Sequence, residues 1–264
     1  MSMNFGIVLT PRSGSDWVRD VQRAEEQGYR TVLLPDTLHT TSPFPALAAA
    51  AAVTTTLRLR PNVIAAPLRH PAATARETAA LQLLSDGRFE LGIGTGRPDA
   101  QREAEALGEQ WGSAGQRRQR MVDTIVAVRA AAKPVPPIVI AASGPRMLAT
   151  AAELADRVHL AVQPVATENE LAEIVATVRA HTDRPVGFSL QLVAVGDQLP
   201  VYMSKFMGVT LDGLREANAA AILPGDPGAA AELLEHRREK YGIDELLVPG
   251  DLAAAFAPVL ARFR

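Results

Sequence analysis

Short aliphatic runs alternate with amphipathic helical stretches along the whole chain, and this alternation limits the fold more than any single motif. Strands are expected over residues 5–9, 30–34, 57–64, 88–93, 137–142, 157–162, 186–195 and 245–248. Nearly every one is followed by a stretch with apolar residues at three- and four-residue spacing, such as Trp17, Val21 and Ala24, or Leu171, Ile174, Val175 and Val178. Pro71 and Pro145 suit first helical positions, and Gly28 and Gly242 suit helix ends. Asp16 is expected to cap the first helix, and an alanine-rich helix is expected over residues 45–53. Repeated strand–helix units build parallel sheets. A doubly wound sheet would carry its glycine fingerprint directly after the first strand, but Thr10-Pro11-Arg12-Ser13-Gly14 stands there. Two domains would need a linker, and none is evident. Eight βα steps in 264 residues fit an α/β fold, a (β/α)8 TIM barrel forming one domain over residues 1–264. In such a barrel ligands bind at the C-terminal ends of the strands.

Composition removes whole classes of function. A formal net charge of -2 gives no pull toward nucleic acid or acidic membranes. The absence of cysteine rules out thiol catalysis, disulfides and thiolate metal sites, and no metal site is expected. No apolar run is long enough to span a bilayer, and Met1 to Asn4 leads straight into Phe5-Gly6-Ile7 without the form of a signal peptide. The expectation is a cytoplasmic protein acting on a small molecule. Two stretches fall outside the alternation. Residues 97–116 read as a polar loop, and residues 196–224 read as a long irregular connection of the kind that often carries function.

Chemistry concentrates at the expected strand ends. The segment Leu83-Leu84-Ser85-Asp86-Gly87-Arg88-Phe89-Glu90-Leu91-Gly92-Ile93-Gly94-Thr95-Gly96 ends a helix, runs a strand and opens into a glycine loop. Phe89, Leu91 and Ile93 point to one face, and Glu90, Gly92 and Gly94 to the other. Glycines on one face let a flat ring or another backbone come close. Gly94-Thr95-Gly96 is no phosphate loop, since the lysine and spacing are missing. Asp36 can orient a cofactor, act as a base, or simply cap a turn. Asn62 can bond a ligand or fill a β-bulge, while Arg60 and Glu90 are expected to form a structural pair. His39 reads as a solvated loop residue, and His70, before a helix-starting proline, as a capping residue. Arg97 can bind an anionic substrate or stand in solvent. Ser143-Gly144-Pro145-Arg146 offers either an anion site at a helix start or an ordinary serine cap.

Taken together, seven segments resemble the bacterial luciferase-like monooxygenase superfamily, and more particularly its branch that uses the deazaflavin coenzyme F420. They are Ala24-Glu25-Glu26-Gln27-Gly28-Tyr29, Pro35-Asp36, Arg69-His70-Pro71, Leu84-Ser85-Asp86-Gly87-Arg88, Leu91-Gly92-Ile93-Gly94-Thr95-Gly96, Ala142-Ser143-Gly144-Pro145-Arg146-Met147 and Ala151-Ala152-Glu153-Leu154-Ala155-Asp156. Each is weak alone, but their order and register cover nearly the whole chain. The resemblance implies a luciferase-like barrel with shortened loops and a homodimer, with the alanine-rich stretch 46–52 permitting close packing. It implies a non-proline cis peptide at Asn62-Val63, forming a bulge behind an isoalloxazine-type ring. It sets Asp36 near the polar edge of that ring, Gly94, Thr95 and Gly96 along its flat side, and Ser143, Gly144, Pro145 and Arg146 around its phosphate.

This chain also departs from the family. Sugar-phosphate dehydrogenases of the deazaflavin branch carry histidine where Thr37 stands and glutamate where Arg97 stands, so hexose-phosphate oxidation is not expected. Arg97 remains a candidate substrate contact, and no catalytic acid or base is assigned. The reading that follows is a coenzyme F420-dependent oxidoreductase moving hydride between the deazaflavin and a small organic substrate. An FMN-dependent monooxygenase and a non-catalytic flavin-binding homologue are the alternatives. Leu68, Phe206 and Met207 hint at an apolar mouth, and residues 196–224 are the expected substrate lid.

Overall fold

The computed structural model describes residues 3–264. Its strands are β1 Asn4–Val8, β2 Thr31–Leu34, β3 Arg58–Pro61, β4 Ile64–Ala65, β5 Leu91–Gly94, β6 Ile138–Ala142, β7 Arg157–Leu160, β8 Gly187–Gln191, β9 Ala194–Val195, β10 Ile222–Leu223 and β11 Ile243–Pro249. Its helices are α1 Gly14–Glu26, α2 Pro43–Val53, α3 Pro71–Leu84, α4 Gln101–Ala106, α5 Ala114–Ala131, α6 Pro145–Leu154, α7 Glu168–Arg179, α8 Val201–Met207, α9 Leu211–Glu216, α10 Pro227–Tyr241 and α11 Ala253–Leu260. The chain divides into two compact units. The first comprises Met1–Val8, Gln27–Tyr29 and Ala142–Arg264, and the second Leu9–Glu26 and Arg30–Ala141.

In the first unit, β1, β11, β8 and β7 pair in parallel in that order. Phe188 and Leu190 of β8 and Leu246 and Val248 of β11 are buried, as are Leu171, Val175 and Val178 of α7 and Leu234 of α10. β9 and β10 form a separate parallel pair. In the second unit, β2 pairs with β3 from Thr31 opposite Arg58 to Leu34 opposite Pro61. Leu59 bridges Phe89 ahead of β5, and β5 pairs with β6 and β4. Each unit therefore carries four main parallel strands, nearly all leading into helices. The fold class is α/β, of the (β/α)8 barrel type that the sequence pattern implies.

The turn at Ser85-Asp86-Gly87-Arg88 shows why that motif has its residues. Asp86 and Gly87 both take left-handed backbone angles, φ 53° and 78°, which reverse the chain tightly after α3. The Arg88 guanidinium then fans out to the carbonyls of Ala51, Leu57 and Ser85 and to the Thr54 hydroxyl. One cation thus satisfies acceptors at the end of α2, the entry to β3 and its own turn. Glu25 plays the matching anionic part, accepting the backbone N–H groups of Thr55, Thr56 and Leu57.

Several local expectations differ from the structure, among them the seventh strand, expected unbroken over 186–195 but divided into β8 and β9. The third strand is not continuous over 57–64, because it breaks at Asn62-Val63 into β3 and β4. The fourth begins at Leu91, since Phe89 makes only an isolated bridge. Residues 97–116 hold a short 3-10 turn and α4, and residues 196–224 hold α8, α9 and β10. These helices are only six or seven residues long, and α8 and α9 bury one side chain each, Met203 and Leu214, so no periodic stripe marks them. Finally, α1 starts at Gly14, with the Ser13 hydroxyl accepting the Asp16 N–H, so Asp16 lies inside the first turn. Two predictions test this frame. Arg88→Ala strands several partly buried carbonyls and should cost about 2–4 kcal/mol, lowering the melting temperature by roughly 5–10 °C. Arg88→Lys should recover less than half of that, because an ammonium cannot span the same acceptors. Both are read by thermal melts with calorimetry. The second concerns pH. The Glu25 carboxyl is partly buried, which alone would raise its pKa, but the N–H groups of residues 55–57 hold it below the usual range. A depressed carboxylate contributes stability above its unfolded pKa and loses it as pH falls through the folded value. Glu25→Gln should therefore destabilise the protein at pH 7 and converge with wild type in acid, which urea titrations across pH will check.

Candidate functional site

The second unit gathers most of the expected site residues around β5. Its glycines at alternate positions are each filled by a different neighbour. A Cβ on Gly92 would sit 2.0 Å from the Pro61 carbonyl oxygen, inside the backbone of β3. On Gly94 it would sit 3.1 Å from Cγ2 of Val63. On Gly96, at φ 83°, it would sit 2.6 Å from the Trp111 ring and 3.6 Å from the Ala65 Cβ. The glycine face expected to admit a ring or another backbone thus admits a backbone first. The peptide bond Asn62-Val63 is cis, and the bulge it forms packs on Gly94. Asn62, Val63, Thr95 and Gly96 stay partly open, while their neighbours Pro61, Ile64, Ile93 and Gly94 are buried.

Beside this bulge lies a buried ion pair. Asp36, 8% exposed, follows β2. Arg69 reaches it with two nitrogens, Nη2 at 2.8 Å from Oδ1 and Nε at 3.2 Å from Oδ2. The Ala65 N–H approaches the same carboxylate at 3.4 Å. The guanidinium lies 5.4 Å from the Phe44 ring centroid and 3.8 Å from Glu77. Burial alone would lower the Arg69 pKa, but the hydrogen bonds and charge of Asp36 outweigh it and raise the value. Asp36 is therefore neither a plain turn cap nor an open base. It is a bidentate acceptor that ties the end of β2 to the segment after the bulge. Below it, Arg60, 1% exposed, and Arg58 both bond Glu90, which is the structural pair the alternation implied.

Arg97 is also engaged. It bonds Asp99 and Glu103, and the buried Glu103 carboxylate accepts the Leu38 N–H at 3.0 Å. Desolvation would lower the Arg97 pKa, yet these carboxylates raise it. One carboxylate thus joins the loops after β2 and β5. Thr37 closes a turn with Thr40, and His39 is exposed. His70 is the N-cap of α3, its Nδ1 accepting the Ala72 N–H. The sequence reading missed Glu103, Trp111 and Arg117. Trp111 packs on the cluster of Ala65, Leu68 and Ala104, and Arg117 lies 4.5 Å from its ring centroid. A tryptophan between Gly108 and Gly112 in a polar stretch was the visible sign.

The first unit holds Ser143, Gly144, Pro145 and Arg146, all exposed. Gly144, at φ 73°, is the N-cap of α6, and no side chain caps that helix. The serine-cap alternative therefore does not hold, and the first N–H groups of a ten-residue helix are left without a side-chain acceptor. The same unit carries polar groups on its strands, and strand alternation places Ser189 and Gln191 on one face together with Gly187. His159 Nδ1 lies 3.3 Å from the Ser189 hydroxyl, and Gln191 donates to the Tyr202 hydroxyl at 3.1 Å. Burial raises the Tyr202 pKa against the opposing hydrogen bond from Gln191. Phe206 and Met207 of α8 are exposed, and Leu68 is buried in the second unit.

Residues 3–205 match the sequence family of luciferase-like monooxygenases. Three solved structures share the fold at low identity. One is a coenzyme F420-dependent tetrahydromethanopterin reductase from Methanopyrus kandleri, at 18% identity and TM-score 0.74, covering 100% of both chains. Another is an F420-dependent secondary alcohol dehydrogenase in complex with an F420–acetone adduct, at 16% and 0.75, covering 98% of this chain and 97% of that one. The third is the oxygenating constituent of 3,6-diketocamphane monooxygenase from Pseudomonas putida in complex with FMN, at 14% and 0.75, covering 99% and 95%.

The Asp36–Arg69 geometry makes a direct prediction. Arg69→Ala leaves a buried carboxylate and should cost about 3 kcal/mol in urea unfolding. Adding Asp36→Asn removes the stranded charge and should restore at least about 1 kcal/mol. A double variant as unstable as the sum of the single losses would show that the two side chains are not coupled.

Proposed function

Because the chain belongs to the luciferase-like monooxygenase family, we propose that it is an oxidoreductase that binds coenzyme F420 and transfers hydride to or from a small organic substrate. The observation that carries this reading is the half-open patch of Asn62, Val63, Thr95 and Gly96 set in a buried frame. In that frame the bulge rests on Gly94, and the Ala65 N–H bonds Asp36. The glycine in this patch leaves main chain rather than a side chain facing a planar ring. The uncapped start of α6 beside Arg146 fits a phosphate by its donor chemistry. A deazaflavin or flavin would supply the hydride-transfer chemistry, and the protein supplies orientation and electrostatics.

The chain's own residues then have distinct parts in this reading. Asn62, Val63, Gly94, Thr95 and Gly96 form the wall. Asp36, fixed by Arg69, ties the end of β2 to the segment beside that wall. Arg97 acts as an anchor between loops, since an anionic substrate would have to compete with Asp99 and Glu103 for it. His159 with Ser189, and Tyr202 with Gln191, are hydrogen-bonded polar pairs of the first unit. A single domain over residues 1–264 that pairs into a homodimer belongs to the same proposal. The exposed Leu83 and Leu84 at the end of α3 are the apolar surface that favours pairing.

FMN is the second reading, favoured by the structural likeness to a monooxygenase in complex with that flavin. One titration separates them. Purified protein should quench F420 fluorescence with micromolar or tighter affinity, and FMN should bind at least about tenfold more weakly. Tighter FMN binding would move the assignment to the monooxygenase class. Binding of neither to folded protein would overturn the cofactor reading.

A further inference from the structure

Trp111 is one of only two tryptophans in the chain, and it is delivered on an unusual piece of backbone. Gly108 and Gly112 flank it with left-handed angles, φ 73° and 68°. Immediately after Gly112, Ser113 and Gln116 close a reciprocal capping box that fixes the start of α5. Arg117 follows on that fixed turn. Its guanidinium stacks 4.5 Å from the Trp111 ring centroid, and its Nη1 donates to the Gly112 carbonyl at 2.8 Å. Its Nε is buried without an acceptor. A buried donor without a partner is unfavourable, and the stack on the indole and the bond to Gly112 are what offset that cost.

The other side of this contact is the candidate site. The outer edge of the indole occupies the space that a Cβ on Gly96 would need, and the Ala65 Cβ borders the same point. Ala65 is the residue whose N–H reaches Asp36, and it pairs with Gly94 across β4 and β5. Contacts therefore run without a gap from Arg117 through Trp111 to Gly96 and Ala65. Gly96 has the backbone freedom of a left-handed glycine and would be mobile without a fixed neighbour.

We propose that Trp111, clamped by Arg117, is a positioning residue that holds the 94–96 loop against the bulge and so preforms the wall met by a planar ring cofactor. A preformed wall raises affinity by removing the ordering that binding would otherwise require. The cofactor part of this inference rests on the proposed function, whereas the clamp on the loop does not.

Two measurements on Trp111→Ala, Trp111→Phe and Arg117→Gln test it. The first is amide hydrogen exchange of residues 91–97 in the protein without cofactor. Exchange at residues 94–97 should rise at least about tenfold in Trp111→Ala, rise less in Arg117→Gln and return toward wild type in Trp111→Phe. Thermal melts should show the rest of the fold intact. The second is titration with F420 and with FMN. Whichever binds wild type should bind Trp111→Ala about tenfold or more weakly and Trp111→Phe within about threefold. Unchanged exchange at residues 94–97 in Trp111→Ala overturns the clamp. Should that variant fail to fold, unchanged exchange in Arg117→Gln does the same. Altered exchange with unchanged affinity overturns its role in binding. If neither cofactor binds wild type, the functional reading falls, and the exchange result still decides whether the clamp exists.

Discussion

The close approach of three neighbours to Gly92 and Gly94 of β5 and to Gly96 in the loop after it is the constraint on which the candidate site depends. At Gly92 the intruder is the Pro61 backbone, at Gly94 the Val63 side chain, and at Gly96 the Trp111 ring. A strand with ordinary side chains at these positions would push β3, the bulge and the loop after α4 outward together. Any Cβ at Gly92 would overlap the Pro61 carbonyl outright. The bulge cannot retreat, because Asn62 N–H donates to the Leu34 carbonyl and Glu90 N–H to the Leu59 carbonyl. The glycines therefore serve first to let protein approach protein. The open patch is what remains on the far side of that contact.

Buried charge is organised around the same strand. Glu90 and Asp36 are both buried, and each is met by arginine, Glu90 by Arg58 and Arg60 and Asp36 by Arg69. A buried carboxylate without such a partner would shift toward its neutral form or unfold its surroundings. Both carboxylates are thus tied to the fold by arginine, Glu90 to β3 and Asp36 to the segment after the bulge. That arrangement suits positioning and electrostatic roles.

Much of this was legible in the sequence because it is written in backbone requirements. Strand alternation separated Glu90 from Phe89 and aligned Arg60 with it, and the Ser85-Asp86-Gly87 turn could be read from its residues alone. What escaped depends on single contacts. A helix of six residues that buries one leucine, as α9 does, leaves no period to detect. Glu103 lies in a short acidic helix where most carboxylates are solvated, and only the fold brings Arg97 and the Leu38 N–H to it. Trp111 lay in a stretch that read as loop, and its contact with Gly96 links two residues that no local pattern connects. Arg69 was visible as part of a motif, but its role as the partner of Asp36 spans 33 residues of sequence.

The same distinction explains why a class of cofactor is easier to read here than a reaction. In the proposed reading a planar ring is met by main chain and small residues, and glycine spacing records that need directly. The reaction would instead be set by individual side chains at the loop ends, where Thr37 and Arg97 depart from the sugar-phosphate enzymes. Arg97 is more than the loss of an acid at that position. Its cation is taken up by Asp99 and Glu103, and through Glu103 it reaches the backbone of the loop that carries Thr37. The two departures are therefore joined by a hydrogen-bonded path. A change at Arg97 alters the support of the loop that carries Thr37, so replacing that arginine by an acid would disturb the loop as well as change the charge.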